Sequence, residues 1–378
     1  MTDTAEDAAD DTRRTRTGFE RARALADTIL YEGYLLYPYR KSSPKNRVRW
    51  QFGIVAPRGW VEREGPVPET VAGSVESWQQ QTDTLLQALP GARHPTVHVR
   101  VRFLQWLSRT VERLEPGGRF VRAESLVDDA GTPWLSFDEA VPHECDLVAS
   151  LPDLLGDGLT VPIGAAAEDS VERLGEAGRL IRRRLPVSGL ATLRAQRLDT
   201  SFAAYRLRLR IENTDSEVGP GATRTEALRR SLIATHALLG GDDVTWHSLT
   251  DPPDWAAPYT RACQNIHTFP VLIGEAGGRD GMLSSPILLY DYPDIAPESP
   301  GDLHDATEID EILSLRTLTL TEAEKREARA TDPRAAAIVD RVEGMPQEVL
   351  ARLHGAVRSL RPHRSPSGTG EGGRDGSA

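Results

Sequence analysis

Apolar and polar positions along this chain repeat with two different periods, and the places where the period changes divide it. Phe19, Ala22, Ala26 and Ile29, followed by Gly33, recur at helical spacing, and Thr17 and Glu20 are placed as a capping box before them. Pro38 is expected to end this helix. After the loop RKSSPKN the period becomes two, with Val48, Trp50, Phe52 and Ile54 on one face and Arg47, Arg49 and Gln51 on the other. That pattern predicts a half-exposed strand.

Strand periodicity dominates from 70 to 215. Val97, Val99, Val101 and Phe103 alternate with His98, Arg100 and Arg102, and Tyr205, Leu207, Leu209 and Ile211 alternate with Arg206, Arg208 and Arg210. Weaker strands are expected over 75–88, 119–127 and 143–149, and Asn213–Asp215 with Gly-Pro-Gly at 219–221 supplies turn chemistry. Thr223 and Glu226 then predict a capped helix with the stripe Leu228, Leu232 and Leu239, stopped by Gly240-Gly241, and Asp254 is placed to cap a short helix. HTFPVLIG and SSPILLYDYP read as buried strands. Capping boxes at Asp305/Glu308 and Thr321/Glu324, and Asp332 before Pro333, predict the closing helices.

These elements predict an α+β fold, with an antiparallel β-rich, sandwich-like middle, a leading helix, and a mixed, then helical C-terminal part. The expected division is a disordered acidic tail over 1–17, a helix and β-rich domain over 18–216, an α/β then helical part over 217–361 packed on the first, and a disordered Gly/Ser tail over 362–378. The net charge of −11 argues against a general nucleic-acid binder. With two cysteines, no signal-peptide pattern and no apolar run near the ~20 residues of a membrane span, a cytoplasmic protein is expected.

Candidate chemistry is sparse. Arg47/Arg49, Arg100/Arg102 and Arg206/Arg208/Arg210 would line one surface with guanidinium groups if their strands shared a sheet, a surface suited to phosphate, carboxylate or an acidic protein. A solvated sheet face in an arginine-rich chain is the plainer reading, and the acidic segment 291–311 offers neutralisation from within. Residues 29–53 hold four of eight tyrosines and two of three lysines. Tyr37, Tyr39, Arg40, Lys41, Lys45, Asn46, Arg47 and Arg49 form the candidate anion or partner site, while Tyr31 and Tyr34 fit a helix end packed on the sheet with hydroxyls reaching the surface. His143-x-Cys145 on one face of a strand and Cys263-x3-His267 form a candidate Cys/His metal set, against the plainer reading of buried structural cysteines. No G-x-S-x-G elbow, phosphate loop or H-E-x-x-H occurs, and the sequence requires no cofactor.

The string LYEGYLLYPYRKSSPKNRVRWQFG resembles the N-terminal signature of an uncharacterised, mostly actinobacterial family encoded with uptake nickel–iron hydrogenases and their maturation factors. The resemblance continues in RVRFLQ at 100–105 and NIHTFPVLIG at 265–274, is densest at 284–313 and 330–346, and covers the β-rich middle thinly. It carries over no catalytic or ligand residue. It implies an accessory or assembly protein for hydrogenase maturation or docking, acting by binding a hydrogenase subunit or maturation factor. An enzyme acting on a small anionic substrate, with the loop 40–49 as clamp and His267 as acid/base, and a Cys/His metallochaperone are the alternatives.

Overall fold

The computed structural model describes residues 19, 22–36, 38–43, 52–66, 76–294 and 310–346. Its strands are β1 (Gln79–Ala88), β2 (Thr96–Leu114), β3 (Phe120–Ala123), β4 (Ser125–Val127), β5 (Pro133–Leu135), β6 (Phe137–Ser150), β7 (Leu159–Ala165), β8 (Glu168–Leu174), β9 (Gly178–Arg184), β10 (Val187–Arg197), β11 (Ala204–Asn213), β12 (Ile233–Asp242), β13 (Val244–His247), β14 (Phe269–Leu272) and β15 (Gly281–Ser285). The helices are α1 (22–31), α2 (Arg58–Val61), α3 (Leu151–Leu155), α4 (Arg224–Leu228), α5 (Ala257–Thr260), α6 (Asp310–Leu318), α7 (Glu322–Thr331) and α8 (Pro333–Glu343). The fold is α+β and β-rich, with antiparallel sheets, a leading helix and C-terminal helices.

One sheet runs β13-β1-β11-β10-β7 and the other β14-β15-β12-β2-β9-β8, with β3 and β6 also paired to β2. β2 is 19 residues long because it serves two regions. β12 and then β9 pair along one edge of it, at 96–104 and 108–113, and β6 and then β3 along the other, at 96–109 and 111–114. Strands from both sides of residue 217 pair in each sheet, β13 with β1 and β12 with β2.

Alternation decides which residues meet between the sheets. Val97, Val99, Val101 and Phe103 of β2 face Leu207, Leu209 and Ile211 of β11 in one buried cluster. Each such side chain contributes roughly 1.5–3 kcal/mol by leaving water. The outer face of the larger sheet is covered twice. Phe19, Ala22, Ala26 and Ile29 of the α1 region pack on Leu238, Val271 and Leu283. Tyr31, Tyr34, Leu35 and Tyr39 join Ile338, Val339 and Val342 of α8 over Leu104 and Trp106. Outside the smaller sheet, Leu85, Leu198 and Ala204 lie under Ala256, Trp255 and Tyr259.

Several expectations are corrected. The helix predicted through Leu239 ends at Leu228: Ile233–Asp242 is a strand held by β2 and β15, and burial on both faces removes the alternation that would have marked it. Thr223 and Glu226 do form the capping box at the helix start. The strand predicted over SSPILLYDYP stops at Ser285 and lies upstream, as β15. The α1 helix ends at residue 31, before Pro38, in a turn through Gly33 at φ 67°. The cap residue of α5 is Ala256, whereas Asp254 is exposed. The Thr17/Glu20 and Asp305/Glu308 boxes, most of the 48–54 strand, and the two tails fall outside the described residues. No helix among the described residues is long and apolar enough to cross a membrane.

Candidate functional site

The arginines predicted to form one surface are divided between the two sheets, and each described one has a partner. Arg100 holds Asp146 at 2.7 Å, Arg102 holds Glu144 at 2.9 Å and also Asp27, and both belong to the larger sheet. In the smaller sheet Arg208 grips the buried Asp83 through two 2.7 Å bonds, Arg210 pairs with Glu212 at 3.0 Å, and Arg206 reaches Gln196 and the Ala262 carbonyl. These carboxylates come from neighbouring strands, from β11 itself and from α1, and residues 295–309 of the predicted acidic segment lie outside the described residues.

The described part of the basic loop turns toward its own chain. Arg40 pairs with Glu324 at 2.9 Å, Lys41 pairs with Glu124, and the Lys41 amide donates to Thr331 Oγ1 at 3.1 Å. Tyr39 is fully buried. Tyr37, Lys45, Asn46, Arg47 and Arg49 lie outside the described residues. The Tyr34 hydroxyl does not reach the surface as predicted, since it is buried and donates to Asp332 at 2.8 Å, while the Tyr31 hydroxyl accepts from Arg334 in a half-buried contact. Burial raises the Tyr31 pKa, with the Arg334 guanidinium opposing it.

His143 and Cys145 share one face of β6, as the spacing predicts. His143 stacks on Phe103, bonds Gln105 at 3.0 Å, and has its pKa lowered by burial. Cys263 lies beside α5 on the outer side of the smaller sheet, where its thiol donates to the Tyr259 carbonyl and burial pushes it up to about 11. A thiol so protonated is a poor nucleophile or ligand at neutral pH. The two Cys/His pairs sit in different layers, and among the described residues no three His, Cys, Asp or Glu side chains converge as metal ligands.

A different convergence does occur, where Gly53 meets Thr235 and Pro286. Gly53, at the end of the opening string, accepts the Thr235 amide at 2.8 Å; a Cβ there would lie 2.8 Å from that nitrogen and 2.9 Å from Pro286. Ala234, at φ 52°, and His267, at φ 55°, hold left-handed conformations that cost non-glycine residues about 1–3 kcal/mol each. Ala234 sits in the bulge where β12 shifts register against β2. Around this junction runs a buried row of hydroxyls. Thr82 bonds Ser284 at 2.6 Å, Ser284 bonds Thr268, and Thr268 Oγ1 lies 3.3 Å from the Ser285 carbonyl. Thr84 donates to Met282 Sδ, and Gln80 donates to the Thr235 carbonyl. None of these hydroxyls bonds an imidazole or carboxylate among the described residues, so the row lacks the base that activates a nucleophile. It acts as a rigid mount.

What the mount carries is the segment after β15. Leu289 packs into the α1 cluster, the Leu272 amide donates to Asp291 at 2.8 Å, and the Tyr292 amide donates to the Leu272 carbonyl at 2.7 Å. Asp291 also accepts from Ser248 and Thr250, and the Tyr292 hydroxyl donates to the Gly278 carbonyl. With Leu289 turned inward, its neighbours turn outward: Leu288 is 75% exposed and Tyr290 90%. The apolar letters of SSPILLYDYP predict burial, and what sequence missed is that alternate ones face water. The chain matches no model of a known protein family and no curated protein.

Proposed function

We propose that this chain is an accessory protein of nickel–iron hydrogenase maturation or docking, and that it works by binding a hydrogenase subunit or maturation factor. The observation that carries the binding role is the outward display of Leu288 and Tyr290 on a segment pinned at Leu289, Asp291 and Tyr292. A tyrosine has only two side-chain torsions to lose on binding and is among the residue types that dominate interface energetics. The hydrogenase setting comes from the sequence resemblance, whose densest string includes this segment.

The two other readings have less support. An anion clamp in the basic loop meets Arg40 and Lys41 already engaged by Glu324 and Glu124, and a metallochaperone meets Cys/His pairs held in separate layers. The test is co-purification of the tagged chain with separately expressed hydrogenase subunits and maturation factors, together with deletion of its gene. Capture of one component and loss of hydrogenase processing are expected. Unchanged hydrogenase activity and processing in the deletion strain would sink the role.

A further inference from the structure

We infer that the Leu288–Tyr290 loop docks into a polypeptide surface with an apolar cleft ringed by lysine or arginine, an inference that rests on the protein-binding role proposed above. Two observations define the partner's chemistry. The first is the pair Leu288 and Tyr290, which points away from the fold while Leu289 between them anchors inward. That spacing suits insertion into a cleft, with the tyrosine ring as the apolar anchor and its hydroxyl left to a polar rim.

The second is the charge around the pair. Hydrogen bonds join the loop to residues 248–251 and to 272–278. Asp251, Glu275, Asp280 and Asp294 in or next to these segments are all exposed, against Arg279 among them and the exposed Arg23 on α1, whose cluster takes Leu289. This excess of carboxylates on the segments that hold the loop favours a partner with lysine or arginine beside its apolar cleft and speeds its approach. It also opposes a second copy of this chain at the same place, because a two-fold contact would set these carboxylates against one another.

The test uses the full chain and short fluorescein-labelled peptides of alternating leucine and lysine, leucine and glutamate, or serine and lysine, read by fluorescence anisotropy. The leucine–lysine peptide is expected to bind, and Leu288→Ser or Tyr290→Ser to weaken it about tenfold or more. The leucine–glutamate peptide should bind only the variant Glu275→Lys/Asp280→Lys/Asp294→Lys. Equal binding of the leucine–lysine and serine–lysine peptides, or binding indifferent to Tyr290→Ser, would overturn the docking site. So would a dimer in solution that Tyr290→Ser dissociates. Hydrogenase components that bind the wild-type chain, Tyr290→Ser and the charge-reversed variant alike would remove the docking site and leave the accessory role standing. Peptide selectivity without any hydrogenase partner would do the opposite.

Discussion

Tyr34 donates a 2.8 Å hydrogen bond to Asp332 across 298 residues of sequence, inside the core that joins the end of α1 to α8. The same tyrosine oxygen accepts the Ala140 amide, and the same aspartate caps α8 through the Arg334 amide. One buried contact therefore ties together the N-terminal segment, β6 and the last described helix.

Tyr34→Phe is expected to lower stability by about 1–3 kcal/mol, because it strands an amide and a carboxylate oxygen away from water. Urea unfolding monitored by circular dichroism measures this. Tyr290→Phe is the control and should leave the midpoint unchanged, since its ring lies in solvent.

Asp83 is fully buried, with its oxygens taken by Arg208 and by the Gln264 amide. Asp83→Ala leaves a guanidinium without its partner and removes the acceptor of the Gln264 amide, while the Gln81–Ile266 backbone pair still holds that segment to β1. A loss near the lower end of the buried-pair range, about 3 kcal/mol, is expected because Arg208 is partly exposed. A double-mutant cycle with Arg208→Met should recover part of that loss.

Three histidines, His143 among them, shape the response to mild acid. Burial brings His236 down to about 3 despite the Ala234 carbonyl on its ring, and burial with the nearby Arg279 brings His247 down to about 4. The unfolded chain takes up a proton on each near pH 6.5 while the native state does not, so stability is full above that pH and falls below it. The slope is about 1.4 kcal/mol per pH unit for each histidine, and it begins above the carboxylate range. Melting temperatures between pH 7.5 and 5 are expected to drop, and His247→Phe should flatten the curve. An unchanged slope in that variant would assign the effect elsewhere.

Gly53→Ala is expected to destabilise strongly. The new methyl would meet the Thr235 amide nitrogen and Pro286 at under 3 Å, on top of the cost of φ 59°. Gly91→Ala, at φ 82° but in open space, isolates the backbone term of about 1 kcal/mol. The difference between the two melting temperatures measures how tightly the junction is packed.

Local chemistry was the legible part of this fold. Thr223/Glu226, Thr321/Glu324 and Asp332 before Pro333 cap helices as their spacing predicts, because a capping box needs only residues three apart. The alternations in β2 and β11 gave the correct inward faces for the same reason. Ile233–Asp242 misled because a strand buried on both faces has no polar side to mark its period. The junction was illegible: Gly53, Thr82, Thr235, Thr268 and Ser284 are ordinary residues whose contact depends on strand order. Asp83 facing Arg208, and β2 serving two halves of a sheet, depend on it too.

The core around Tyr34 has a consequence for synthesis. Tyr31, Tyr34 and Leu35 leave the ribosome early, but Ile338, Val339 and Val342, which complete their cluster, leave it some three hundred residues later. At about 5–20 residues per second the tyrosines wait tens of seconds for their partners. Until then the cluster has Leu104, Trp106, Phe137 and Ile233 but lacks the face that α8 supplies. A chain cut short before Ile338 would leave that face of the core open to water.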